Sequence, residues 1–233
     1  MRIQRRRPAE LSSRRAGTVV VMDVLRMTST AAVLMRRPSC KGVAVAATLE
    51  DLPLLSQPLS DYVVVSELAG ASRLGLGACV DNSPARVSRM TFGERTPVLV
   101  TTNGTRTLLA AAACAERVLL ASFLDLHAVA RHLAAMATPS VVLSPAGDFA
   151  GGEGRIEDDL CADALQELLA GREPDLAASA AIIRAHPRVR RRVAAEPGFP
   201  ADLDLALATH GDPRAAVLEF QALDTGTGNI VRA

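Results

Sequence analysis

Five strand-length apolar runs in this chain each stop at a polar residue, and helical patterns fill the gaps between them. This recurrence restricts the fold more than any single motif does. In the first run, residues 18–22, four apolar residues stand in a row and three of them are β-branched, the signature of a strand buried on both faces. Asp23 follows, a charge that an interior strand cannot bury unpaired, so the strand is expected to end there. Residues 62–66 stop at Glu67, 97–101 run into Thr102 and Asn103, 117–121 stop at Ser122, and 140–144 end on Ser144. A further strand is read at 42–47, and helices at 31–36, 85–90, 106–115, 124–136 and 156–170. Strands alternating with helices on short loops predict an α/β fold: a largely parallel β-sheet flanked by helices, layered α/β/α. Parallel strands would bring their carboxyl ends to one rim, where open α/β sheets hold ligands.

The two ends of the chain carry weaker patterns. Residues 1–17 read as a basic lead-in, with Arg5, Arg6, Arg7, Arg14 and Arg15, and residues 1–4 could add an edge strand. The alternative is a basic arm touching nucleic acid. Residues 18–233 read as the main α/β region, with every motif inside 18–170. Beyond Gly171 the pattern is helical and punctuated by proline, at 175–185 and 201–208, with basic residues 188–192 between. A late strand at 215–222 is expected to close a sheet. His186 and His210 read as structural or solvated.

A net charge of +1 supplies no basic field, which argues against nucleic acid as a partner. Apolar residues make up 49% and aromatics only 3%, so the core must pack Ala, Leu and Val. Cys40, Cys79, Cys114 and Cys161 are too far apart for a C-x-x-C metal or redox motif. No apolar span of 18 residues is present, so no membrane partner is expected, and the expected setting is cytoplasmic with reduced thiols.

Chemistry concentrates at the corners. Asp23, Arg26 and the hydroxyls of Thr28, Ser29 and Thr30 precede a helix, which suits an anion held with a metal ion. A salt-bridged Asp and an ordinary N-cap explain the same residues. Ser83 followed by Pro84 fits a capped helix start. Thr101, Thr102, Asn103, Gly104 and Thr105 form a strand-to-helix turn that is neither a P-loop nor a dinucleotide fingerprint. Glu157, Asp158 and Asp159 open a helix, where acids favour the dipole and also suit a metal.

Taken together, Asp23 to Thr30, Glu67, Asn82-Ser83-Pro84, Thr101 to Thr105, Ala146-Gly147 and Glu157-Asp158 resemble the magnesium-dependent 2-phosphosulfolactate phosphatase family of coenzyme M biosynthesis. The resemblance implies an α/β phosphatase that hydrolyses 2-phosphosulfolactate, or a related phosphorylated hydroxy acid, to sulfolactate and phosphate with Mg²⁺. Three positions depart from the family pattern. Ser66 and Leu68 stand where glycine and arginine flank the acid, and Asp81 stands where glycine precedes Asn82. Arg73 is a nearby candidate for the missing charge.

On this resemblance Asp23, Arg26 and Glu67 are the expected catalytic residues. Asp23, Glu67, Glu157 and Asp158 are the expected Mg²⁺ set, since magnesium takes oxygen ligands. Thr28, Ser29 and Thr30 with Arg26 would hold one anion of a small phosphorylated substrate. Thr101, Thr102, Asn103, Gly104 and Thr105 would hold a second, with Asn82 and Ser83 completing the site. Attack by a metal-positioned water is favoured over an aspartyl-phosphate at Asp23, because Leu25 occupies the place of the second acid in a D-x-D pair. A catalytically impaired anion-binding homologue is the alternative function. A homo-oligomer is left open.

Overall fold

The computed structural model describes residues 1–11, 16–68, 79–136, 138–150, 154–208 and 215–233. Arg14, Arg15, Arg73 and His210 lie outside these. In chain order the first half contains β1 (Arg2–Arg5), α1 (Pro8–Leu11), β2 (Ala16–Met22), α2 (Met27–Met35), β3 (Val43–Ala46), β4 (Tyr62–Val65), β5 (Cys79–Val80), α3 (Pro84–Val87), β6 (Thr96–Leu99) and α4 (Gly104–Ala112). The second half contains β7 (Ala115–Ala121), α5 (Leu126–Ala135), β8 (Ser140–Pro145), α6 (Ile156–Leu169), α7 (Leu176–Ala185), α8 (Pro187–Ala195), α9 (Phe199–Ala206), β9 (Leu218–Ala222) and β10 (Thr227–Arg232). No helix among the described residues is long and apolar enough to cross a membrane.

Successive strand residues point to opposite faces, and this alternation sorts the core. Val19 and Val21 of β2 join one apolar cluster, while Val20 and Met22 join another. The first cluster also takes Val43 and Val45 of β3, Val63 and Val65 of β4, and Leu99 of β6. Their in-between neighbours Ala44, Ala46, Tyr62, Val64 and Val98 form a third cluster with Leu52 and Leu55. The second cluster is covered by α5, α6, α7, α8 and α9. The fold is therefore layered α/β, as expected, and most of its strand pairings are parallel.

The ten strands form one sheet in the order β1-β8-β2-β7-β9-β10-β3-β6-β4-β5. Two parallel blocks flank the hairpin β9–β10. The late strand thus lies at the centre of the sheet rather than closing it. β9 is antiparallel to β7, β10 to β9, and β3 to β10. Three reversals leave the two blocks running in opposite directions, so parallel alignment cannot put all the carboxyl ends on one rim. In a flat sheet β2 and β6 would also lie five strand spacings apart, roughly 24 Å. Helix α2 packs against β7 of one block, against β3 and β6 of the other, and against β10 between them. Every residue of α2 is buried, as expected of a helix enclosed on all sides.

Local departures from the expected elements bear on the site. Helix α2 begins at Met27, four residues before the run at 31–36, so Thr28, Ser29 and Thr30 lie inside it rather than ahead of it. The basic residues 188–192, expected between two helical runs, lie in helix α8, started by Pro187 at its first turn. β10 was hidden in the Gly- and Thr-containing stretch after Asp224. The Asp224 carboxylate accepts the N–H groups of Gly226 and Thr227, both at 2.7 Å, and closes the hairpin turn.

Candidate active site

The corner after β2 is tied down from several sides. The Asp23 N–H donates to Thr28 Oγ1 at 3.3 Å, the Thr28 N–H returns to the Asp23 carbonyl at 2.8 Å, and the Val24 N–H donates to Asp158 Oδ1 at 2.8 Å. The Asp23 carboxyl is buried and receives the N–H groups of Met27 and Gly104. Those donors favour its ionised form, but burial and then the charges of Glu67 and Glu157 outweigh them and push it up to about 7. Gly104 is required for this approach. A Cβ there would collide with Asp23 Oδ2 and lie 2.7 Å from Met27 Cβ.

The other acids arrive on separate elements. Glu67, after β4, accepts from the Thr102 N–H at 2.8 Å, the Thr102 hydroxyl at 3.0 Å and Asn82 Nδ2 at 3.1 Å. Glu157 and Asp158 stand in the first turn of α6. Asp158 accepts from Val24 and from the Gly147 N–H at 3.0 Å, yet burial and the charges of Glu157 and Asp23 hold its carboxyl well above the usual range. Glu157 pairs with Arg188 through Oε1, while its Oε2 is buried and without a protein partner. Asp159, the third acid of the run, turns away to Arg7 at 2.8 Å.

A cavity of about 720 Å³ brings Asp23, Glu67, Glu157 and Asp158 together with Arg155, Arg188 and Arg192. Asn82, Thr102 and Asn103 also line it. Among the described residues no three His, Cys, Asp or Glu side chains are gathered closely enough to form a ready-made metal shell. The four expected acids share one cavity, but each is braced by its own partners.

Most of the expected anion-binding hydroxyls are turned inward. Ser29 Oγ donates to the Val24 carbonyl at 2.8 Å, Thr28 Oγ1 accepts from Asp23, and Thr30 is fully buried. Thr101 and Thr105 bond to each other: the Thr105 N–H donates to Thr101 Oγ1 at 3.1 Å, and the Thr105 hydroxyl donates to the Thr101 carbonyl at 2.9 Å. Gly104 gives its N–H to Asp23 and Asn103 Oδ1 accepts from the Phe149 N–H at 3.0 Å. Ser83 caps α3 by accepting the Arg86 N–H at 3.1 Å, and its hydroxyl donates to Asp202. These hydroxyls bond within the corners, while Asn103, like Asn82 and Thr102, also lines the cavity. The cavity's other cations are Arg155, Arg188 and Arg192, paired with Asp148, Glu157 and Glu196 respectively. Arg188 and Arg192 belong to the basic stretch that the sequence places between two helical runs, and Arg155 directly precedes α6. The signals available were Pro187 at a helix start and the Arg188–Arg192 spacing of one turn.

The model of the 2-phosphosulpholactate phosphatase family matches residues 5–193, most of the chain. The chain belongs to this family. A Deinococcus radiodurans protein described as a probable 2-phosphosulfolactate phosphatase is 32% identical over 152 residues, 64% of this chain and 60% of that protein. A Thermus thermophilus protein of the same description is 36% identical over 159 residues, 65% of this chain and 61% of that protein. The chain thus aligns with about three fifths of the length of these relatives.

The three departures from the family pattern have distinct places in the structure. Ser66 Oγ accepts the Leu68 N–H at 3.1 Å, and Leu68 packs against the apolar cluster under β3, β4 and β6. Asp81 reaches the cavity and forms a two-point pair with Arg26, Nη1 to Oδ2 and Nη2 to Oδ1, both at 2.9 Å.

Proposed function

We propose that this family member is a magnesium-dependent phosphoric monoester hydrolase. Its substrate would be 2-phosphosulfolactate or a closely related phosphorylated hydroxy acid, released as sulfolactate and phosphate. The observation that carries this reading is the meeting of Asp23, Glu67, Glu157 and Asp158 with Arg155, Arg188 and Arg192 in one cavity, inside the segment matched to the family.

Phosphate-monoester hydrolysis requires a barrier reduction of roughly 20 kcal/mol or more. One helix end contributes only about 1 kcal/mol toward an anion, so metal, positioned carboxylates and arginines must act together. The donors fit magnesium chemically. Glu157 keeps a buried oxygen with no protein partner, and Asp23 carries a charge opposed by two neighbouring carboxylates. Magnesium needs only one or two protein carboxylates beside water and phosphate oxygens. Glu157, through its unpartnered oxygen, and Asp23 beside it would hold the ion, with Asp158 lining the same cavity. Bound there, the ion would neutralise phosphoryl charge and acidify a water.

The remaining work falls to this chain's own residues. Glu67, fixed by Thr102 and Asn82, orients the attacking water. Arg155, Arg188 and Arg192 would exchange their partners Asp148, Glu157 and Glu196 for the substrate's other anionic ends. The new bond joins water oxygen to phosphorus as the bond to the hydroxy-acid oxygen breaks. Leu25 offers no second acid to serve an aspartyl-phosphate, which supports direct attack. The anion-binding alternative rests on the missing arginine at Leu68; the presence of Arg155, Arg188 and Arg192 at the same cavity supports the hydrolase reading.

A screen of phosphorylated hydroxy acids with Mg²⁺ tests the proposal. Phosphate should be released fastest from an acid bearing a sulfonate or carboxylate beside the phosphate. A preference for simple phosphate esters, or no release from any compound, would count against it.

A further inference from the structure

Arg26 is a cation at the cavity whose binding edge is already taken. Its side chain is 9% exposed and lies between two carboxylates. Asp202, fully buried, accepts from Arg26 Nη1 at 2.9 Å, from the Ala85 N–H at 3.1 Å and from the Ser83 hydroxyl. With three donors from three positions, Asp202 cannot leave without orphaning buried groups.

Asp81 is held differently. Its side chain is 40% exposed, lines the cavity, and among the described residues its hydrogen bonds go to Arg26 alone. The two parallel N–H···O bonds copy the way a guanidinium takes a carboxylate, phosphate or sulfonate. A cavity anion and the Asp81 carboxylate therefore compete for one edge of Arg26, while Asp202 keeps the guanidinium in place from the other side.

We propose that Asp81 is a built-in competitor that occupies the anion seat of Arg26 and thereby sets how tightly the cavity holds a substrate's anion. It rests on the reading of this cavity as an anion-binding active site. An arriving anion takes the seat and Asp81 turns out to solvent, which its exposure allows. Asp81 is thus a specificity-determining residue: only ligands that bind the guanidinium better than a tethered carboxylate gain from Arg26.

Calorimetric titration of the full chain with inorganic phosphate tests this. Asp81→Asn and Asp81→Ala should each tighten phosphate by about fivefold or more. The gain should persist when salt is raised, because the Arg26 guanidinium, only 9% exposed, is screened less than surface charges are. Wild type and variants binding phosphate equally would overturn the competitor role alone. A gain that disappears with salt would also overturn it, by showing a diffuse charge effect. No phosphate binding by any of the three proteins would overturn both the competitor and the anion-site reading beneath it.

Discussion

Asp23 occupies a point where two demands collide. The end of a buried strand excludes an unpaired charge, yet two N–H groups aim at its carboxyl and two further acids stand close by. Gly104 makes the contact possible, so Gly104→Ala must either displace Asp23 or open the α2–α4 contact. It should destabilise the fold by about 1–3 kcal/mol and depress activity, read by thermal melting and phosphate release together. Thr105 makes the opposite case. Its hydroxyl links to Thr101 and faces no ligand, so Thr105→Val should lower stability by about 1–3 kcal/mol. The ratio of kcat/KM values for a doubly anionic acid and a simple phosphate ester should stay unchanged. A selective loss on the doubly anionic acid would restore the hydroxyl as an anion contact. Acids at strand ends were legible in the sequence because burial dictates where a charge can stand. The direction of a hydroxyl was not, since Thr at a turn serves its own backbone or a ligand equally well.

At the level of elements, the strand-to-helix turns are small polar units with their own pH behaviour. At the β7–α5 turn Asp125 accepts from the Ser122 N–H at 2.7 Å and from its hydroxyl at 3.2 Å, and burial pushes its carboxyl up to about 7. The folded state therefore holds this proton more tightly than the unfolded chain, whose carboxyl titrates near 3.8. Asp125 contributes its full stability below about pH 4 and loses it as pH rises through about 7, at most on the order of 4 kcal/mol. Asp23 and Asp158 shift in the same direction. Melting temperature without metal should fall between pH 4.5 and 8, and Asp125→Asn, which keeps an acceptor for Ser122, should flatten that fall. An unchanged slope would show that Asp125 is not held protonated. Elements with strong apolar patterns, such as β2, β7 and α6, were legible with ends displaced by only a few residues. α8 was not, because its buried contact rests chiefly on Val189 and its other residues are largely polar.

Across the whole molecule, the site depends on a sheet whose halves run in opposite directions and still bring their carboxyl ends together. Asp23 belongs to one half, Glu67 and Thr102 to the other, and the buried helix α2 packs against strands of both. The fold class was legible from alternation alone. The reversal was not, because it is made by one hairpin closed by Asp224, whose turn residues mask a central strand. The central claim is that this convergence makes a magnesium-dependent phosphatase site centred on Asp23. Its most direct test is phosphate release from 2-phosphosulfolactate by wild type and Asp23→Asn, each with Mg²⁺, with EDTA, and with Mg²⁺ restored. Wild type should release phosphate with Mg²⁺, stop in EDTA and recover on restoration, while folded Asp23→Asn stays about 100-fold or more below it, the scale of losing one key electrostatic group. Full release in EDTA, or near wild-type turnover by Asp23→Asn, would contradict the claim.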